Sequence, residues 1–119
     1  MIDRVWAEDF AREWIEAWNS HDLERIFSHY TDDFEMTSPL IFERMNEPSG
    51  ILKSKDRIRP YWEGGLAQVP KLHFQLERVL VGAKAITILY QNQKNQLVAE
   101  ILTFNDKGKA ISGNAHYSI

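Results

Sequence analysis

Glu100 stands in the run Leu97-Val98-Ala99-Glu100-Ile101-Leu102-Thr103-Phe104, where alternation puts it on one face with Val98, Leu102 and Phe104. A carboxylate among apolar neighbours is costly if ionised and unpaired, so it must be paired, protonated or set in a wet cavity. Desolvation would carry its pKa toward the range in which a general acid or base works near neutral pH. The alternative is that Val98 and Phe104 face solvent or a second subunit, and Glu100 with them. Three further acids, Asp32, Asp33 and Glu35, lie in HYTDDFEMTSPL, residues 29 to 40. Asp32 and Asp33 fall where helical spacing gives way to alternation, and short carboxylates there bond local backbone and favour a turn. Glu35 is out of phase with Phe34 and Met36, so it points away from a pocket that those two would line. The inward position nearest the strand end is Ser38. Without an adjacent base its hydroxyl is a weak nucleophile, which suits Ser38 to holding a substrate group rather than attacking one.

The four histidines, at 21, 29, 73 and 116, match no zinc spacing such as HExxH, so no metal site is expected. His21 belongs to a cap region and His29 to the rim of a short helix, while the alternation of their neighbours turns His73 and His116 outward. The aromatics are the other resource: four Trp, four Tyr and six Phe. Trp14, Trp18, Tyr61, Trp62 and Tyr90 can line one volume in which Gly113 and Ala115 leave space and Tyr117 closes it. Aromatic stripes at helical spacing more often make plain core than a ligand box. Yet so many polar-tipped rings exceed what a core this size absorbs, because each buried indole or phenol needs a partner.

These groups need elements to hold them. Trp6, Phe10, Trp14, Ala17 and Trp18 recur at helical spacing over residues 3 to 18. Asn19-Ser20-His21-Asp22 interrupts them, and Ser20 or Asp22 can cap a short second helix with Leu23, Ile26, Phe27 and Tyr30 on its apolar face. From Phe34 the period is two, until Pro39 stops the strand. Residues 40 to 53 read as a loop with a Pro48-Ser49-Gly50 turn. Ser54 caps a third helix facing inward with Ile58, Tyr61, Trp62 and Leu66; Pro60 predicts a kink or a late start, and Gly64-Gly65 weaken its far end. Four strand-like runs follow Pro70, with a parity change near Glu77-Arg78 that predicts a bulge and a hairpin signal at Asn105-Asp106-Lys107-Gly108. Helices before consecutive hairpin-joined strands predict an α+β fold, with helices covering one face of an antiparallel sheet. The natural cavity lies between them.

At 119 residues the chain predicts one domain over 1–119, long enough to bury roughly two-thirds of its unfolded surface. A net charge of -3 and a pI near 5.8 argue against nucleic acid. The absence of Cys fits a reducing compartment and excludes thiolate chemistry. MIDRVWAEDF lacks an apolar signal-peptide core and no run reaches membrane-spanning length, so a cytoplasmic protein without a membrane partner is expected.

The segments EWIEAWNSHDLERIFSHYTDDFEMTSP, PSGILKSKDRIRPYW and EILTFNDKGKAISGNAHY together resemble the SnoaL-like branch of the nuclear transport factor 2-like superfamily. The resemblance spans nearly the whole chain. It implies a curved mixed or antiparallel sheet wrapped as a cone around three helices from the N-terminal half, and a homodimer through the outer sheet face. It leaves activity open, because this fold hosts isomerases, cyclases, dehydratases and non-catalytic binders. In the ketosteroid isomerase relative, an aspartate before a proline is the base, and a helical tyrosine and a sheet acid form the oxyanion hole. By motif the base position falls on Ser38, the tyrosine on Trp14 and the sheet acid on Glu100, with Tyr30 and Tyr117 at pocket-aromatic positions. One of the three chemical positions thus keeps its type, and serine cannot abstract a carbon-bound proton unaided. Some polyketide-cyclase relatives take their acid/base carboxylate from a late strand, a part that Glu100 fits.

The resulting expectation is a pocket for a small, largely apolar ligand, worked without a cofactor. Glu100 and Ser38 are the catalytic candidates. Trp14, Trp18, Tyr30, Met36, Tyr61, Trp62, Tyr90, Leu102 and Tyr117 are the substrate-binding candidates. The chemistry would be of isomerase, cyclase or dehydratase type. The alternatives are a non-turning-over carrier and a dimerisation module plugged by its own aromatics.

Overall fold

The computed structural model describes residues 1–119, which form an α+β fold with four helices in the N-terminal half and a six-stranded sheet. Helix α1 (Arg4–Ser20) starts where Asp3 accepts from the Trp6 amide, and it buries Phe10, Trp14, Ala17 and Trp18. His21 ends it in a left-handed conformation. Asp22 caps α2 (Leu23–Phe27), with the Ser20 hydroxyl accepting from the Asp22 amide. Glu13 on α1 ties this corner down: it takes Arg25 in a bidentate pair and lies 3.0 Å from His29 Nε2.

Strand β1 (Tyr30–Thr37) begins at Tyr30, so that residue opens the sheet instead of closing α2 as the spacing predicted. Phe34 and Met36 point inward, while Asp32 and Asp33 are exposed, Asp32 beside Lys55. The predicted loop over residues 40 to 53 contains two elements that sequence spacing did not signal. Ser38 accepts from the Leu40 amide and Pro39 fills the first position of α3 (Pro39–Met45). Serine before proline is a helix start as well as a strand stop. The helix escaped notice because only Ile41 is buried, leaving no apolar stripe to read. β2 (Ile51–Lys53) is too short to show a period and pairs antiparallel with β1.

Ser54 caps α4 (Lys55–Gln68) as predicted. The helix begins directly at Lys55 despite Pro60 and continues through Gly64-Gly65. Four strands then form an antiparallel meander: β3 (Gln75–Val81), β4 (Ala85–Gln91), β5 (Leu97–Phe104) and β6 (Ala110–Tyr117). The predicted bulge sits at Glu77, where the β3–β4 register steps from Leu76↔Tyr90 to Arg78↔Leu89. The sheet order is β2-β1-β6-β5-β4-β3, and β1 with β6 is the parallel pair. The sheet is curved and does not close. No helix is long and apolar enough to cross a membrane.

Register arranges the concave face in rows, since directly paired residues share a face. Tyr90, Val98 and Tyr117 form one row; Ile88, Glu100 and Ala115 the next; Ile86, Leu102, Gly113, Met36 and Leu52 the third. The end of α1 is fastened over this face by side-chain bonds. Asn19 donates to the Phe74 carbonyl and accepts from the Phe74 amide, and His21 Nε2 lies 2.9 Å from the Leu72 carbonyl oxygen.

Gly64 has open space where a side chain would go and sits in a regular helix, so glycine brings only its entropic cost there. Gly64→Ala is expected to stabilise the protein by about 0.5–1 kcal/mol. The urea midpoint reads this directly; an unchanged or lower midpoint would mean that the position serves something other than the helix.

Candidate functional site

Glu100 occupies the centre of the middle row and is only 4% exposed. No ion pair reaches it, and its Oε2 has no hydrogen-bond partner. Burial alone raises its pKa to about 8, so at neutral pH the group is mostly a carboxylic acid. It borders a cavity of about 110 Å³ between the sheet and helices α1, α3 and α4. That is less than the roughly 150 Å³ of an apolar cavity that accepts benzene, so a single small ring is the upper bound for its occupant.

The cavity wall is largely aromatic: Trp14, Trp18, Tyr30, Tyr61, Trp62, Phe74, Tyr90 and Tyr117, with Met36 and Leu72 between them. The rings brace one another. Trp14 stacks on Phe74 at 6.0 Å, Trp18 meets Trp62 edge-on at 5.1 Å and Tyr90 lies 4.2 Å from Phe74. Trp14 Nε1 donates to the Tyr30 hydroxyl at 2.9 Å, fully inside the protein. The indole proton is therefore spent within the wall, and the Tyr30 oxygen, having accepted it, keeps its own proton to give. Burial pushes the Tyr30 phenol well up; the nearby Glu100 charge adds to this and the Trp14 bond opposes it. Tyr90 and Tyr117 are raised by burial first and Glu100 second. Tyr61 is raised by burial, with the Ser38 hydroxyl working against it. All four phenols stay protonated near neutrality, which leaves Glu100 as the cavity group able to exchange a proton there.

Eight of the nine residues expected to bind substrate border this cavity: Trp14, Trp18, Tyr30, Met36, Tyr61, Trp62, Tyr90 and Tyr117. Leu102 does not. It lies in the third row, fully buried, beside the gap left by Gly113, where an added Cβ would meet Met36 Sδ at 2.9 Å and Leu102 Cδ2 at 3.3 Å. Ser38 is also outside the lining. It is buried just behind the wall, where its hydroxyl accepts the first available amide of α3 and lies beside the Tyr61 and Tyr117 phenols. His73 and His116 are exposed, as their phase predicted. The constraint at Gly113 is the Met36 thioether; Glu100 Oε2 would stand 3.5 Å from a Cβ there, an ordinary contact.

Leu40, Arg44, Gly65, Val69, Leu72, Phe74, Asn92 and Gln93 complete the lining and are not among the expected site residues. Leu40 and Arg44 are four apart on α3, and Trp62, Gly65 and Val69 recur at three and seven residues along α4 and its cap. A helix started at Ser38-Pro39 would have put Leu40 and Arg44 on one face. Asn92 and Gln93 lie in the β4–β5 turn, where no periodicity operates.

The SnoaL-like domain family matches residues 11–118. A crystal structure of a SnoaL-like protein of unknown function from Burkholderia thailandensis is 41% identical, covers 99% of this chain and 98% of its own, and superposes with a TM-score of 0.96. SalBIII, described as an epoxide hydrolase/cyclase-like enzyme in pyran ring formation in polyether salinomycin, shares the fold at 13% identity and a TM-score of 0.77, over 100% of this chain and 95% of that one. A candidate ketosteroid isomerase from Kribbella flavida does so at 11% identity and a TM-score of 0.72, over 95% and 78%. No curated protein matches the sequence.

Because the folded carboxyl holds its proton to about 8 and the unfolded one to about 4.5, folding binds a proton between those values. The stability that the neutral acid allows is complete below about pH 4.5 and is lost as pH rises through 8, by a few kcal/mol. Glu100→Gln removes this loss. The variant is expected to match wild type in urea unfolding near pH 4.5 and to exceed it increasingly toward pH 8. A difference that does not change with pH would contradict the burial of an unpaired acid.

Proposed function

On the premise that the chain belongs to the SnoaL-like domain family, we propose that it is a cofactor-free acid/base enzyme acting on a small, ring-sized substrate with a carbonyl or hydroxyl handle. The observation that carries this is the unpartnered Glu100 carboxyl, buried beside a cavity whose other titratable walls are phenols. A carboxyl poised near pH 8 can both take and return a proton, the requirement for isomerisation, cyclisation or elimination. Tyr30 supplies the complementary part. Its hydroxyl accepts from Trp14 and directs its own proton toward an oxygen on which negative charge develops. Trp14 acts through Tyr30, and Ser38 acts by starting α3 and abutting the Tyr61 and Tyr117 phenols. Gly113 makes room for the Met36 thioether, which borders the same cavity. The aromatic walls exclude water, which strengthens both electrostatic contacts.

The second reading is binding without turnover. It is favoured by the serine at the position that resembles the isomerase base, which leaves Glu100 as the single acid in the lining. In either reading we propose that two copies pair through the outer sheet face, where Ile101 lies between Thr87 and Asn114. Sedimentation velocity giving a monomer at micromolar concentration would remove that part.

Deuterium exchange at the α-carbon of cyclohexanone is a suitable probe, because it needs only proton abstraction from a ring of this size. Wild-type protein is expected to accelerate exchange, with a rate that climbs with pH and levels off above about 8. Glu100→Gln should lower it by roughly 100-fold or more and flatten the pH profile. Tyr30→Phe should lower the rate with smaller change in affinity. Saturable binding of cyclohexanone without any acceleration would assign the cavity to binding alone.

A further inference from the structure

The cavity lining contains one fixed positive charge, Arg44, and no carboxylate comes within ion-pairing distance of it. Arg44 projects from the last turn of α3 across the backbone of α4, where a Cβ on Gly65 would stand 3.3 Å from its Nη1. Glycine at 65 thus admits the guanidinium to the rim. The charge is felt inside, since it works against the burial of the Tyr61 and Tyr117 phenols. Arg44 lies on α3 and Glu100 on β5, with Tyr61 and Tyr117 responding to both. A second donor is also unanswered. Trp18 Nε1 is shielded from solvent with no hydrogen-bond partner, and its ring packs edge-on against Trp62, one turn before Gly65. An indole N–H can only donate, and a guanidinium can only donate. The buried Trp18 N–H has no acceptor within the protein, and the exposed Arg44 pairs with no carboxylate.

We infer that the ligand of this cavity is a small monocyclic carboxylic acid, its carboxylate taken by Arg44 and the Trp18 N–H and its far polar substituent turned toward Glu100. The inference rests on the reading that the cavity takes a small molecule, and it names the class. A cavity of about 110 Å³ has room for one ring and not for a polycyclic skeleton. The unanswered Gln93 Oε1 offers an acceptor to a ring hydroxyl or to water. Glu100, neutral at physiological pH, does not repel an incoming anion, whereas Arg44 attracts it at the entrance.

The test uses three probes, 4-hydroxybenzoate, its uncharged isostere 4-hydroxybenzamide, and phenol, titrated at neutral pH by tryptophan fluorescence and proton NMR. Wild type is expected to bind the carboxylate roughly tenfold tighter than the amide, the range for a charge-assisted bond. Arg44→Gln, a change on an exposed side chain, should bring the two to parity, and Arg44→Lys should restore part of the preference. Trp18→Phe should weaken the carboxylate more than phenol. Equal binding of carboxylate and amide to wild type, or a preference that survives in Arg44→Gln, overturns the inference while leaving the pocket reading intact. Failure of all three probes to bind folded protein overturns the pocket reading, and this inference with it.

Discussion

A carboxyl group with nothing to pair with, set in the middle of a sheet's apolar face, is the constraint around which this protein is arranged. Ile88 and Ala115 flank Glu100 across the ladder and no cation is within reach. The protein tolerates the group by keeping its proton on, at the expense of stability as the medium becomes basic. A polar residue held at such a cost in a position that Val or Leu would fill more favourably points to a use for it. The surrounding choices agree. The phenols nearby are too deeply buried to compete for the proton.

The aromatic wall divides into rings that answer one another and polar atoms that do not. Trp14 donates to Tyr30, which fixes the orientation of the phenol and occupies the indole N–H. Trp18 Nε1, Gln93 Oε1 and Glu100 Oε2 remain without partners, and all three belong to residues that border the same cavity. Buried polar atoms are usually satisfied, and of the four that are not, Thr31 Oγ1 alone belongs to a residue away from this space. The other three sit on three different elements, α1, the β4–β5 turn and β5, which only the tertiary fold brings together.

Alternation carried the most information in the sequence. It put Glu100 on the inner face with Val98 and Leu102, turned Glu35, His73 and His116 away, and located the bulge at Glu77 from a parity change alone. It failed where an element is too short or too exposed to have a period. α3 buries a single residue and β2 is three residues long, so Ser38-Pro39 was legible only as the end of a strand. With no helix signalled after Ser38-Pro39, nothing put Leu40 and Arg44 on one face. Tyr30 was assigned to the wrong element yet to the right volume, because a helix end and a strand start at the same corner project a side chain into the same core. Leu102 shared the face of Glu100, but sharing a face does not place a residue at the cavity: it lies one row further on, packed against Gly113.

The parallel pairing of β1 with β6 joins the two halves of the sheet at a single seam. Tyr30 belongs to the first half and Glu100 to the second, with the C-terminal strand between them. During synthesis the helices and β1 emerge long before the strand against which β1 must zip. The hollow therefore cannot take shape until β6 is available to pair with both β1 and β5, and removing that strand would unstitch the vault along its keystone.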